Sequence, residues 1–93
     1  MASPLVTIIC LCYNHDKYIP EAVESIINQT YTNLEIIIID NGSPDNSQEI
    51  IKVIASENPD IKMIMLNENI GNCRAFNLGL KDSKGEFIID LSG

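Results

Sequence analysis

The sequence is poor in basic residues, aromatic residues and histidine. Of its 93 residues, six are Lys or Arg and thirteen are Asp or Glu, which gives a formal charge of −7, and one residue is histidine. Proteins that bind nucleic acid usually carry a basic face, so this composition disfavours nucleic acid as the main ligand, and we expect none. A phosphorylated ligand would need local help from a helix end, a metal or a well-placed arginine.

The sequence also lacks a long apolar run and a basic amino-terminal segment. The isoleucine run at 36–39 is bounded by Glu35 and Asp40 and is too short to cross a bilayer. No basic residues precede an apolar stretch at the amino terminus, so no signal peptide is expected. We therefore expect no membrane segment, and a location in the cytoplasm or at the cytoplasmic face of the membrane.

Cysteine is present three times, an odd number. Cys10 and Cys12 lie two apart on a predicted strand and would point to the same face, where a disulfide between them is geometrically awkward. We expect both to be reduced, buried thiols.

Four runs rich in β-branched residues alternate with three helical patterns. The runs predict strands at 5–12, 34–39, 61–66 and 86–91, and apolar positions on both parities of the first two indicate strands covered on both faces. A stripe from Ile19 to Ile27 predicts the first helix, and helices are also expected at about 45–57 and 70–81. This order with short connections predicts one α/β domain with a parallel sheet between helix layers.

The helical patterns also predict inward faces and caps. The second helix would begin at Asp45, which forms a capping box with Gln48, and the third would take Asn69 as its N-cap. The residues expected to face inward are Ile50, Ile51 and Ile54 in the second helix, and Cys73, Phe76, Asn77 and Leu80 in the third.

Polar residues follow the second strand as Asp40-Asn41-Gly42-Ser43. Ligands of open parallel sheets bind in the crevice outside the carboxyl ends of the strands, which places these residues at a candidate site. Asp40 and Asn41 point to opposite sides of the sheet, and a side-chain oxygen here could accept the imide N–H of a pyrimidine. Turn capping explains the same residues equally well, so both interpretations stay open.

Arg74, the only arginine, lies one turn into the third helix, and that helix has no carboxylate in its first turn. This position suits contact with a diphosphate or a base edge, although an ordinary surface role is as plausible. Asp90 lies near the same crevice, but a solitary carboxylate is weak evidence for a metal. The sequence contains no Ser/His/Asp set, Walker loop, GxGxxG motif or paired cysteine motif.

Five segments together closely resemble the amino-terminal half of family 2 glycosyltransferases of the GT-A fold. They occur in the right order and spacing over nearly the whole chain: Val6–Asn14, Ile26–Tyr31, Glu35–Asp45, Asn69–Gly71 with Asn77–Gly79, and Lys84–Ile88. The resemblance implies a Rossmann-like three-layer α/β/α sandwich with strand order 3-2-1-4. Residues 1–93 would form the amino-terminal, nucleotide-sugar-binding part of a truncated GT-A domain.

The resemblance implies an inverting transferase that moves sugar from a UDP- or TDP-sugar donor to a polysaccharide, glycolipid or glycan precursor. Leu11 and Tyr13 would line the nucleoside pocket, Asn41 stands where the family usually has an aspartate that contacts uracil, and the segment around Arg74 would border the nucleotide. The implied nucleotide-sugar site is completed by Asn14, Asp40 and Ser43.

The sequence departs from the family pattern at three positions. Leu11 replaces a proline or threonine, Asn41 replaces an aspartate, and Phe76 replaces an arginine. The Asp-x-Asp motif, which would bind the Mn²⁺ or Mg²⁺ of the full-length enzyme, and the catalytic base are expected at or beyond Ser92-Gly93. We therefore expect the 93-residue chain to hold no catalytic residue or metal, and to self-associate through exposed apolar residues of the fourth strand.

Two other classes of protein share this type of sheet. A non-enzymatic Rossmann-like regulatory module of the receiver type would carry an acidic cluster on its first strand, which here ends Leu11-Cys12-Tyr13-Asn14. A nucleotidyltransferase would have a glycine-rich basic loop after that strand, and the sequence has none. The transferase is therefore the leading interpretation, and the regulatory module is the alternative.

Overall fold

The computed structural model describes residues 4–14, 17–28 and 33–91. These residues form seven elements in alternating order: β1 (Val6–Cys12), α1 (Ile19–Ile27), β2 (Leu34–Asp40), α2 (Ser47–Glu57), β3 (Ile61–Met65), α3 (Asn72–Asp82) and β4 (Phe87–Asp90). The strands form one parallel sheet in the order β3-β2-β1-β4, which confirms the predicted topology. Ser92 and Gly93, where the metal motif is expected to begin, lie outside the described residues.

β2 is the centre of the core, and its side chains are covered on both sides. Ile37, Ile38 and Ile39 have no exposed surface. Ile38 packs with residues of α1 and α2, whereas Ile37 and Ile39 pack with Ala75 of α3. Two helices therefore cover one face of the sheet and α3 covers the other, as expected for a strand whose central run, Ile36 to Ile39, is apolar at every position.

The two cysteines of β1 belong to this core. Cys10 and Cys12 are fully buried and unoxidised, and their Sγ atoms lie 3.7 Å apart on one face of the sheet. The hydrogen bond with Cys10, together with burial, raises the pKa of the Cys12 thiol, so this group stays protonated. The expectation of reduced, buried thiols is confirmed.

The first residues of α2 and α3 differ from the predicted ones. α2 begins at Ser47, and Asp45 accepts the Ser47 N–H at 3.0 Å in a turn before the helix. Gln48 does not reach back to Asp45, because its amide donates to Asp40 and to the Leu66 carbonyl, each at 2.9 Å. The predicted capping box is therefore wrong.

α3 begins at Asn72 rather than at residue 70. Gly71, with φ of 89°, occupies the N-cap position, and Asn69 accepts the Gly71 N–H at 2.8 Å before the helix starts. Asn69 thus closes a turn and is not the N-cap.

The inward face of α3 was also predicted wrongly in part. Cys73, Asn77 and Leu80 are exposed, Phe76 is half-buried, and the buried positions are Ala75 and Gly79. A Cβ atom at Gly79 would lie 2.8 Å from Cδ1 of Ile39, so a larger residue there would require the Ile39 side chain to shift. The helix therefore turns its small residues inward. In α1, Ile27 is the last residue of the apolar stripe that predicted this helix, but it is exposed rather than packed on the sheet.

Glu35 joins several elements at the amino end of the sheet, on the α3 face. Its Oε1 accepts hydrogen bonds from the Thr7 hydroxyl and the Lys84 N–H, both at 2.7 Å, and its Oε2 accepts one from Lys62 Nζ at 2.8 Å. The Gly85 N–H donates to the Thr7 hydroxyl at 3.0 Å. The carboxylate therefore links β1, β2, β3 and the loop before β4.

The environment of Glu35 also controls its ionisation. Burial opposes the charged form, but hydrogen bonds from Lys62, the Lys84 N–H and Thr7 outweigh it and lower the pKa of Glu35 from 4.5 to about 2. Because the pKa is depressed in the folded chain, ionised Glu35 stabilises the fold above pH 4.5. That contribution is lost as the pH falls from 4.5 towards 2.

We predict that Glu35→Gln lowers the free energy of unfolding at pH 7 by about 1–3 kcal/mol, because charge-assisted hydrogen bonds are lost. The difference from wild type should shrink between pH 4.5 and 2 in chemical denaturation curves. Glu57→Gln, a change at an exposed helix end, is the control and should have little effect at any pH. A difference that stays constant down to pH 2 would contradict this role of Glu35.

Candidate functional site

Asp40 braces the loop that follows β2. Its side chain is fully buried, and Oδ2 accepts the Ser43 N–H at 2.8 Å while Oδ1 accepts the Ser43 hydroxyl. The Ser43 oxygen in turn accepts the N–H of Asn14 at 2.8 Å, and Asn14 has a left-handed φ of 57°. Three of the residues predicted for the site, Asn14, Asp40 and Ser43, therefore form one network that joins the loops after β1 and β2.

Asn41 fixes the loop before α3. Its side chain has no exposed surface; Oδ1 accepts the Ile70 N–H at 3.0 Å, and Nδ2 donates to Asn69 Oδ1 at 3.2 Å. In this arrangement the side chain positions a loop and does not face the crevice. The expected contact between Asn41 and a pyrimidine base stays a prediction, without support from this geometry.

Gly42 lets the same two loops meet. Its φ is 73°, a conformation that favours glycine, and a Cβ atom there would collide with the backbone of Glu68 and Asn69. The backbone after β2 and the backbone before α3 are thus in direct contact, which holds the amino end of α3 next to the carboxyl end of the sheet.

An open groove lies between α3 and the strands β1 and β4, with a volume of about 460 Å³. Leu11 is nearly buried within it, while Tyr13, just beyond β1, is 40 % exposed. The groove is lined by Leu11, Asn72, Cys73, Phe76, Asn77 and Asp90.

Arg74 does not line this groove. Successive helix residues are rotated by about 100°, so Cys73 and Asn77 face the groove, Ala75 faces the sheet, and Arg74 points away from the groove as an exposed side chain. The seven residues predicted for the site therefore do not converge on one point. Asn14, Asp40 and Ser43 form a network, Leu11 lines the groove, Asn41 is buried, and Tyr13 and Arg74 are exposed.

Asp90, Phe76 and Asn77 line the groove and were not among the predicted site residues. The sequence signal for Asp90 was its place near the end of the fourth predicted strand. In the structure the parallel register pairs it with Ile9, which puts its side chain on the α3 face of the sheet. No lysine or arginine is found among the described residues that line the groove.

The described residues do not fit a divalent metal. Across residues 4–14, 17–28 and 33–91, no three His, Cys, Asp or Glu side chains come close enough together to hold an ion. The Asp40 carboxylate is already engaged by Ser43 and Gln48. Within the same ranges, every helix is too short or too polar to cross a bilayer.

A model of a known protein family, described as glycosyl transferase family 2, matches residues 7–91. The chain belongs to glycosyl transferase family 2. This confirms the resemblance seen in the sequence.

Curated members of the family are similar over almost the whole chain. The glycosyltransferase GlyG of Streptococcus pneumoniae serotype 4 is 38% identical over 86 residues, which are 92% of this chain and 29% of that protein. EpsJ of Bacillus subtilis, described as an uncharacterized glycosyltransferase, is 38% identical over 90 residues, 97% of this chain and 26% of that protein. The chain thus spans less than a third of the length of these family members.

Solved structures of glycosyltransferases show the same fold. The mannosyltransferase PcManGT from Pyrobaculum calidifontis, in complex with GDP-Man and Mn²⁺, matches with a TM-score of 0.87 and 28% identity over 97% of this chain and 28% of its own. S. aureus TarS 1–349 in complex with UDP matches with a TM-score of 0.83 and 26% identity over 95% of this chain and 27% of its own. The GT-A fold class predicted from the sequence is confirmed.

We predict that Asn41→Ala releases the loop before α3. Loss of the acceptor for the Ile70 N–H should lower the free energy of unfolding by about 1–3 kcal/mol, because a buried donor loses its partner. Amide hydrogen exchange at Ile70 should become faster than in wild type. Asn67→Ala, in the same loop but exposed, is the control, and equal exchange at Ile70 in both variants would contradict the anchoring role.

Proposed function

We propose that this chain forms the donor-binding part of an inverting glycosyltransferase that transfers sugar from a nucleotide-sugar to a polysaccharide, glycolipid or glycan precursor. The observation that carries the proposal is the crevice at the carboxyl ends of β1 and β2, with the amino end of α3 held beside it through Gly42 and Asn41. It occurs in a family 2 chain whose structural relatives include complexes with GDP-Man and UDP.

The amino end of α3 suits an anionic ligand such as a diphosphate. Its first turn contains no acidic residue, and the unpaired N–H groups of a helix amino end favour negative charge. Arg74 lies in this first turn with an exposed side chain, which can reach a phosphate outside the groove. Tyr13, at the end of β1, offers an exposed aromatic ring to the nucleoside.

The base of the donor nucleotide can be a pyrimidine or a purine. The resemblance favours a UDP- or TDP-sugar, whereas the structural relatives include both a GDP-Man and a UDP complex. The fully buried Asn41 gives no independent support for a pyrimidine. Purine and pyrimidine nucleotides therefore both belong in the test.

Transfer also needs groups that the described residues do not supply. The developing charge on the diphosphate is usually neutralised by a divalent metal, and a base must deprotonate the acceptor hydroxyl. For the full-length enzyme we propose Mn²⁺ or Mg²⁺ as the metal, and the Mn²⁺ in the PcManGT complex supports this. We also propose that the enzyme is located in the cytoplasm. The 93-residue chain itself should bind the donor without turning it over.

We predict that Arg74→Ala weakens binding of UDP and GDP by about three- to tenfold, as expected when one charge-assisted contact to phosphate is removed. Its melting temperature should stay within about 1 °C of wild type, because an exposed arginine contributes little to the fold. Isothermal titration calorimetry measures the first quantity and calorimetric unfolding the second.

Lys81→Ala is the matched control for Arg74→Ala, because it removes a cation from the last turn of the same helix. Equal weakening by both variants would show a general charge effect and contradict the role of Arg74. Failure of wild type to bind either nucleotide would contradict the proposed function itself.

We also propose that the chain self-associates through β4. Phe87, Ile88 and Ile89 are 58 %, 38 % and 49 % exposed, and β4 pairs with β1 along one side of the strand. Apolar side chains on an edge strand favour association with another surface. Sedimentation velocity at rising concentration should show species larger than a monomer, and Ile89→Lys should shift them towards monomer. A wild-type chain that stays monomeric at high concentration would contradict this.

A further inference from the structure

We propose that Asp90 is a donor-recognition residue, whose carboxylate accepts two hydrogen bonds from the nucleoside of a nucleotide-sugar seated in the groove between α3 and β4. This inference rests on the proposed function and assigns a chemical task to a residue outside the predicted site.

The register of the sheet places Asp90 in the groove. Asp90 pairs with Ile9 in the parallel ladder, and the Leu91 N–H donates to the Ile9 carbonyl at 2.8 Å. Ile9 and Leu11 pack on the α3 face of the sheet. Asp90 is the partner of Ile9 and therefore lies on the same face, and Leu11 is two residues further along β1 towards its carboxyl end. The carboxylate is therefore inside the groove, with exposed surface available to a ligand.

The groove combines an apolar wall with polar groups. Leu11 and Phe76 offer apolar surface, and both belong to the cluster that packs between α3 and the sheet. Asn77 and Asp90 supply amide and carboxylate groups in the same groove. The volume of about 460 Å³ is within the range of roughly 300–1,000 Å³ that is usual for small-molecule sites. An occupant with one apolar ring face and a hydrogen-bonding edge fits these walls.

Charge decides which part of the donor can enter. Asp90 is an acidic residue whose oxygens accept hydrogen bonds, and no lysine or arginine among the described residues lines the groove beside it. A diphosphate would therefore be repelled, whereas an uncharged ring with two adjacent donors would be favoured. The diphosphate is left to the backbone N–H groups at the start of α3 and to Arg74, which points away from the groove.

Two parts of a nucleoside offer adjacent donors. One is the edge of guanine, with its ring N–H and exocyclic amino group, and the other is the 2′,3′-diol of ribose. The uracil edge has a single N–H between two carbonyl acceptors and cannot make both bonds. Asp90 already has an interaction partner within the chain, but a carboxylate has about four acceptor positions and can hold a ligand as well.

The experiment compares binding of four nucleotides to wild type and two variants by isothermal titration calorimetry. The nucleotides are GDP, IDP, UDP and 2′,3′-dideoxy-UDP. Asp90→Asn replaces one acceptor by a donor at nearly the same volume. Asp82→Asn makes the same charge change at the other end of α3, away from the groove, and is the control.

If guanine is recognised, wild type should bind GDP about tenfold more tightly than IDP, which lacks the amino group. If the diol is recognised, wild type should bind UDP about tenfold more tightly than the dideoxy analogue. In either case the preference should fall to about twofold or less in Asp90→Asn and persist in Asp82→Asn. Circular dichroism and thermal unfolding show whether the variants keep the fold.

Binding of UDP and GDP with neither preference, or with a preference that survives in Asp90→Asn, would overturn the role of Asp90 and leave the proposed function standing. An equal loss in Asp82→Asn would overturn it too, because the effect would then be one of net charge. Absence of binding by all four nucleotides to folded wild type would instead overturn the proposed function.

Discussion

The burial of β2 on both faces is the constraint on which the rest of the structure depends. Ile37, Ile38 and Ile39 have no contact with solvent, so helices must lie on both sides of the sheet. With short connections and right-handed crossovers, this places α1 and α2 on one face and α3 on the other. The polar residues that bound the run, Glu35 and Asp40, are thereby fixed at opposite ends of one rigid strand.

The two ends of β2 serve different purposes. At the amino end, Glu35 is engaged by Thr7, Lys62 and the Lys84 N–H, and this closed network ties three strands together. At the carboxyl end, Asp40 and Asn41 hold two loops in place, and a groove stays open beside them. No residue of β2 lines the groove, so substitutions at Glu35 and in the groove should have independent effects.

The strands could be predicted from the sequence because a run that is apolar on both parities has few alternative places in a fold, whereas the strand order was implied by the resemblance to family 2 glycosyltransferases. Helix starts could not, since Gln48 and Asn69, which suit local caps, bond instead to Asp40 and Asn41 across the fold. The inward face of α3 was missed because Ala75 and Gly79 are small rather than strongly apolar. Asp40 and Ser43 were identified because they follow the second strand, and Asn14 through the family resemblance, whereas placing Asp90 in the groove needed the β1–β4 register.

The central claim is that the donor nucleotide binds at the carboxyl edge of the sheet, beside α3. Amide chemical-shift mapping on the isotopically labelled chain, with UDP and GDP added in turn, tests it most directly. We expect shifts at Leu11, Tyr13 and Asn77, with none at Glu35 and Lys62 at the amino end of the sheet. Shifts confined to the amino end of the sheet, with the groove unperturbed, would contradict binding at the carboxyl edge.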